Sequence, residues 1–157
     1  MFLKNWTRVL GTVVVLAAPA VLAADVKLNC PAGTAQKGGK ESKFDFVACA
    51  KVEGGRTHGP MVLLYPSGAK QAEGQTENGF RTGVWTFYDE AGNKTGNATF
   101  KGGNFHGDVV ELHANGQVRK QEKYVDGLRE GTAEEFSADG KLVKKTQWRN
   151  NREVASR

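Results

Sequence analysis

Two cysteines, Cys30 and Cys49, are the residues of this 157-residue chain whose type and spacing point most directly to covalent chemistry. In an oxidising compartment an isolated pair forms one disulfide. Closing a loop of that size contributes on the order of 3 kcal/mol when its geometry is relaxed. Metal ligation or redox exchange would want a closer spacing such as C-x-x-C, so the pair is read as a structural bridge. The three histidines offer less. His58 and His106 each precede a glycine and stand 48 residues apart, too far to share a metal if hairpins stack in order. His106, Asp108 and His113 would meet only if a turn curled back. Glu134 and Glu135 are adjacent, so a strand points them to opposite faces and they solvate rather than act as an acid–base pair. Serine never appears in a G-x-S-x-G elbow. The expectation is a protein without catalysis, cofactor or metal.

The aromatic residues pose a sharper choice. Trp85, Phe87, Tyr88, Phe100, Phe105, Tyr124, Phe136 and Trp148 could build a platform that stacks on sugars or quaternary ammonium groups. Several of these columns carry aliphatic residues in other units, such as Leu64, Val109 and Leu112, as packing positions would. Packing is the favoured reading, and it requires Trp85 and Trp148 to be covered. A glycan-binding module, the alternative, requires them exposed.

What positions these side chains is a glycine frame that recurs every 24 residues. Gly59, Gly83, Gly107 and Gly131 stand in one column, Gly68, Gly92, Gly116 and Gly140 nine residues later, and Gly55, Gly79, Gly103 and Gly127 four residues earlier. Glycine is required where the backbone takes positive φ, and between these positions lie segments of strand length. A helix is excluded because a glycine interrupts every 4 to 11 residues. Turns are expected at the G-x-x-x-G groups, as in Gly79 to Gly83, and at single-glycine sites such as Asn115-Gly116 and Asp139-Gly140.

The second strand of each unit alternates. One parity is polar: Gln71, Thr95 and Arg119; Glu73, Asn97, Gln121 and Lys145; Gln75, Thr99, Lys123 and Gln147, with Val143 the exception. The other ends in Thr76, Phe100, Tyr124 and Trp148, predicting an aromatic ladder on a packed face. In the first strand, Met61, Trp85, Val109 and Ala133 form one apolar column and Leu64, Tyr88, Leu112 and Phe136 another. These lie three apart, which a flat strand would send to opposite faces and a bulge or twist would reconcile.

Residues 1–24 read as a secretory signal. Lys4 and Arg8 charge its start, residues 9–22 are mostly apolar, and Ala23 and Ala24 offer a cleavage site. The apolar run is shorter than the roughly 20 residues a membrane span needs. Its removal takes away two of 22 basic and none of 17 acidic residues, so the formal charge falls from +5 to +3. Basic and acidic residues are interspersed, without the stripe expected of a nucleic-acid binder. Neither an amphipathic helix nor a dense basic cluster supports membrane insertion after cleavage. Residues 25–51 are expected to cap the array, 52–151 to be the repeats, and 152–157 to be a frayed tail. The first unit, Met61-Val62-Leu63-Leu64, is apolar on both parities, which predicts that the bridged cap covers it.

The sequence from Gly83 through Val84-Trp85-Thr86-Phe87-Tyr88-Asp89-Glu90-Ala91 to Gly92, with Phe100-Lys101-Gly102-Gly103 and Gly107 after it, resembles the variant MORN (membrane occupation and recognition nexus) repeat. The resemblance covers residues 52 to about 151. It implies an all-β fold: an elongated, twisted, single antiparallel sheet of about four β-hairpin repeats. It implies binding or scaffolding rather than catalysis. Some bacterial relatives are labelled antitoxins of toxin–antitoxin pairs, from which this chain departs by carrying an export signal. The expected function is non-catalytic binding of another protein outside the cytoplasm, in the periplasm or extracellular space if the host is bacterial. The expected surface is the polar parity of the second strands plus the G-x-x-x-G groups, where Arg56, Phe80, Arg81, Phe105, Leu128 and Arg129 vary on a regular frame.

Overall fold

The computed structural model describes residues 26–39 and 45–155. The signal segment of residues 1–24 lies outside them. The described residues form one twelve-stranded antiparallel sheet and no helix. Its strands are β1 (Thr34–Gly38), β2 (Phe46–Lys51), β3 (Thr57–Leu64), β4 (Lys70–Glu77), β5 (Phe80–Tyr88) and β6 (Lys94–Lys101). They continue as β7 (Asn104–Leu112), β8 (Val118–Val125), β9 (Leu128–Arg129), β10 (Gly131–Phe136), β11 (Leu142–Arg149) and β12 (Arg152–Val154). Each strand pairs with the next in sequence, except that β8 pairs with both β9 and β10, one strand broken at Glu130. The expected all-β single sheet is therefore present.

All twelve frame glycines have positive φ, between 65° and 112°. They do three different jobs. Gly79, Gly103 and Gly127 follow Asn78, Gly102 and Asp126, which also have positive φ (51°, 56° and 48°). Two consecutive left-handed residues make the two-residue hairpin turn whose twist matches that of the strands it joins. Each turn is tied to the preceding unit: the N–H groups of Gly79, Gly103 and Gly127 donate to the carbonyls of Thr57, Arg81 and Phe105. Asn151 repeats this bond to Arg129, at φ 63°.

The second glycine of each G-x-x-x-G group does not belong to that turn, contrary to expectation. Gly83 lies inside β5, where Glu73 pairs with Thr86 but Gln75 pairs with Thr82, so β5 carries two more residues than β4 across this stretch. Phe80-Arg81-Thr82 is consequently strand. The third glycine closes the longer loops: Gly68 N–H donates to Tyr65 O and Tyr65 N–H to Ala69 O, a pattern repeated at Asp89, His113 and Ser137.

A second bulge recurs just after those loops. Leu63 pairs with Ala72 and Leu64 with Lys70, which leaves Gln71 unopposed. Thr95, Arg119 and Val143 are passed over in the same way. Val143, the apolar exception in the polar parity, occupies this bulge and is 69% exposed.

The bulges do not bring the two apolar columns of the first strands together. Met61 and Leu63 pack with Ala72, Trp85, Ala98 and Phe100 on one face, the aromatic face. Val62 and Leu64 pack with Val47 on the other, which we term the cap-side face. Val26 and Leu28 lie against that second cluster, so the cap does cover the first unit. Cys30 and Cys49 are bridged, with Cα atoms 5.4 Å apart. The cap also contains β1, a strand the loop-like Lys37-Gly38-Gly39 concealed, paired along its length with β2. At the other end the expectation of fraying is not met: Arg152–Val154 form β12 against β11, exposed throughout, after Asn151 has taken the turn position of the glycine column.

Candidate binding surface

The aromatic face is closed over Trp85 by its own side chains, while Phe105 remains 36% exposed. Trp85 is fully buried, and its indole N–H donates to Gln75 O at 3.0 Å. Gly74 makes room for it: a Cβ there would lie 2.5 Å from the indole ring. Along the sheet, the first-strand residue shrinks from Trp85 to Val109 to Ala133 while the second-strand residue grows from Gly74 through Ala98 to Glu122. Small against large keeps the layer filled.

A ladder of rings runs along this face near the tight turns. Trp85 meets Phe100 edge-on at 6.2 Å, Phe100 meets Phe105 at 4.8 Å, and Phe105 meets Tyr124 at 5.2 Å. Arginines close its ends. The Arg81 guanidinium stands 4.5 Å from the Trp85 ring centre and 5.4 Å from that of Phe100, and Arg129 stands 4.6 Å from that of Trp148. Burial lowers the Arg81 pKa from the usual arginine range. Glu122, absent from the expected site residues, is 7% exposed here, with Lys120 Nζ 3.0 Å and Arg129 Nε 3.5 Å away. A buried carboxylate needs such cations. Its signal was the small Ala133 beside it, which leaves space for the longer side chain.

The six variable residues are divided by this arrangement. Arg81 faces Thr76, Phe105 faces Phe100 and Arg129 faces Tyr124, all on the aromatic face. Phe80 and Leu128, one residue earlier, have the opposite parity and are 56% and 41% exposed. Arg56 precedes β3 and is exposed. The six do not form one surface, because strand neighbours point apart.

The cap-side face is different. Beyond the first unit no described segment lies over it. Its mid-strand row reads Val62, Glu73, Thr86, Asn97, Val110, Gln121, Glu134 and Lys145, each opposite the next across the pairings. Gln121 donates to Glu134 at 2.7 Å, Lys145 pairs with Glu134 at 2.9 Å, and Gln147 donates to Thr132 at 2.7 Å. Hydrogen bonds from Lys145 and Gln121 hold Glu134 below the usual carboxylate range. Over the third and fourth units this face opens into a groove of about 460 Å³, lined by Val110, Gln121, Thr132 and Lys145 among others.

The histidines are placed apart. His113 Nε2 lies 2.8 Å from Phe136 O, His106 Nδ1 lies 3.0 Å from Asp126 Oδ1, and His58 is half-buried. Among the described residues no three His, Cys, Asp or Glu side chains converge as a metal site would need. Among them, too, no helix is long and apolar enough to cross a membrane.

The MORN repeat variant family matches residues 129–150, the final turn-to-turn unit of the frame. That unit is a MORN repeat variant. The other units share that unit's glycine positions and positive φ angles. No curated protein matches the chain. Among solved structures, the chain is similar to accessory secretory protein 1, 2 and 3 of Streptococcus pneumoniae, at 15% identity and TM-score 0.44, over 76% of this chain and 22% of that one. It is also similar to a TarM variant of S. aureus in complex with Fondaparinux, alpha-GlcNAc-glycerol and UDP, at 14% identity and TM-score 0.36, over 78% of this chain and 21% of that one. The chain thus spans about a fifth of the length of either structure.

Proposed function

We propose that this protein is exported and acts without catalysis, as a scaffold that binds another protein in the cell envelope or outside the cell. The observation that carries the reading is the cap-side face. It is covered at the first unit and, among the described residues, open beyond it, and each unit places different side chains on the same backbone frame. Varying residues on an invariant repeat is how such arrays obtain specificity. Export is supported by the signal-like segment at residues 1–24 and by the Cys30–Cys49 bridge, which belongs to an oxidising compartment. Sealing of Trp85 and stacking of Arg129 on Trp148 favour packing over a sugar platform. An immunity-like role, masking a partner protein outside the cytoplasm, would use the same face.

The test is affinity capture from native envelope extract, with residues 25–157 as bait and half the extract digested by a protease that is then inactivated. A defined protein retained only from the undigested half supports the proposal. Glycan retained from both halves would replace it with the cell-wall reading.

A further inference from the structure

The cap supplies an internal example of what the cap-side face receives. Val26 and Leu28, two residues apart, lie on Val47, Val62 and Leu64, which are 0%, 4% and 6% exposed. The main chain of this segment is gripped by one side-chain amide. Gln36 Oε1 accepts the Leu28 N–H at 2.9 Å, and Gln36 Nε2 donates to Val26 O at 3.0 Å. The seat therefore combines apolar residues at alternate positions with an amide that reads backbone.

Forty-eight residues on, the frame repeats the β3 half of this seat, with Asn97 in the place that Val47 holds opposite Val62. Val110 is the counterpart of Val62 and Leu112 that of Leu64. The register places Val118 opposite Leu112, and Asn97 and Gln121 on either side of Val110, so amides flank the apolar floor. Val110, Leu112 and Val118 are only half-buried, and the groove on this face has Val110 and Gln121 in its lining. The apolar row continues in the fourth unit with Phe136 opposite Leu142, the latter 53% exposed.

We propose that Val110, Leu112 and Val118 form a second seat, for an extended segment of the partner protein with apolar residues two positions apart. The segment lies across the third unit as residues 26–28 lie across the first, its backbone held by the amides of Asn97 and Gln121. Apolar contacts at alternate residues with backbone recognition are a recurrent way of reading an extended peptide. The inference rests on the protein-partner reading and specifies its site.

The probe is a blocked hexapeptide of residues 24–29, Ala-Asp-Val-Lys-Leu-Asn, titrated into ¹⁵N-labelled protein of residues 25–157. Saturable shifts are expected at the Val110, Leu112 and Val118 amides, with a dissociation constant on the order of 1 mM. Leu112→Lys should weaken binding about tenfold or more, as should serine at both apolar positions of the peptide. Should Leu112→Lys fail to fold, Val110→Thr keeps the shape and serves in its place. No shift at these amides, or shifts unchanged in the variant, overturns the seat. A protein captured from envelope extract equally well by wild type and Leu112→Lys also overturns it, while leaving the protein-partner reading intact. No captured protein, with peptide binding present, overturns the partner reading instead. A dimer that Leu112→Lys dissociates would assign the seat to a second copy and overturn the proposed occupant.

Discussion

The guanidinium of Arg81 lies over the indole of Trp85, 4.5 Å from its centre, and 48 residues later Arg129 lies 4.6 Å from the centre of the Trp148 ring. Both arginines come from the strand start after a tight turn, and each caps a side chain that would otherwise meet water. Such a cation stabilises a partly desolvated ring by about 1–2 kcal/mol. Arg81→Ala should lower stability by that amount and red-shift the tryptophan emission, measured in urea titrations. Arg81→Lys should recover only part, because an ammonium cannot lie flat on a ring as a guanidinium does.

Gly74 has ordinary strand geometry, so its role is space rather than φ. A Cβ would sit 2.5 Å from the Trp85 ring, too close for any carbon. Gly74→Ala should cost about 1–3 kcal/mol as the indole is displaced. A reduced near-ultraviolet dichroism signal and a lower urea midpoint would show it. Unchanged values would mean the indole has another place to go.

Of the tight-turn glycines, Gly79 and Gly127 need positive φ but have little around them, whereas a Cβ on Gly103 would lie 3.2 Å from the Phe80 ring. Gly127, at φ 85°, has only Asn104 within 4 Å of an added Cβ, and Asn151 occupies the equivalent position of the next turn at φ 63°. Gly127→Asn should therefore change stability by less than about 1 kcal/mol, since asparagine tolerates the left-handed region. Gly127→Val, β-branched, should cost distinctly more. Paired thermal melts decide this.

Tyr88 and Glu73 share a 2.5 Å hydrogen bond, Tyr88 Oη to Glu73 Oε1. Burial, that bond and the carboxylate charge push the Tyr88 pKa up to about 12. For Glu73 burial alone would raise the pKa, but hydrogen bonds from Lys70 and Tyr88 outweigh it and hold it below the ordinary value of 4.5. The folded form thus favours the neutral phenol, and its contribution is present below pH 10 and lost as pH rises toward 12. Glu73 acts in the opposite direction: its contribution is present above pH 4.5 and lost as pH falls through its lowered folded value. Absorbance at about 295 nm should show one tyrosine titrating well above the model-peptide value of about 10, and Glu73→Gln should bring it down.

Much of this architecture is legible in the sequence because it rests on backbone conformation. Positive φ singles out glycine, so twelve glycines in register announce where the backbone must turn or bulge, but not which: Gly83 reads as part of the turn at Gly79 and lies in a bulge of β5. Strand alternation likewise exposes Thr76, Phe100, Tyr124 and Trp148 as one column. What stayed hidden depends on pairing. Arg81 and Phe80 look equivalent until the turn is fixed at Asn78-Gly79, which puts both in β5 and on opposite faces. Val143 looks misplaced until the bulge at that position is known. Glu122 reads as a surface residue, because its burial depends on Ala133 and on two cations reaching it from Lys120 and Arg129.

The proposed function stands or falls with protein binding at the cap-side face. It is tested most directly by site-specific photo-cross-linking in the native host, with the reactive residue at Gln121 on that face or at Thr146 on the aromatic face. A discrete protein adduct is expected from position 121 and none from position 146. Adducts from position 146 alone would contradict it and move the binding surface to the aromatic ladder.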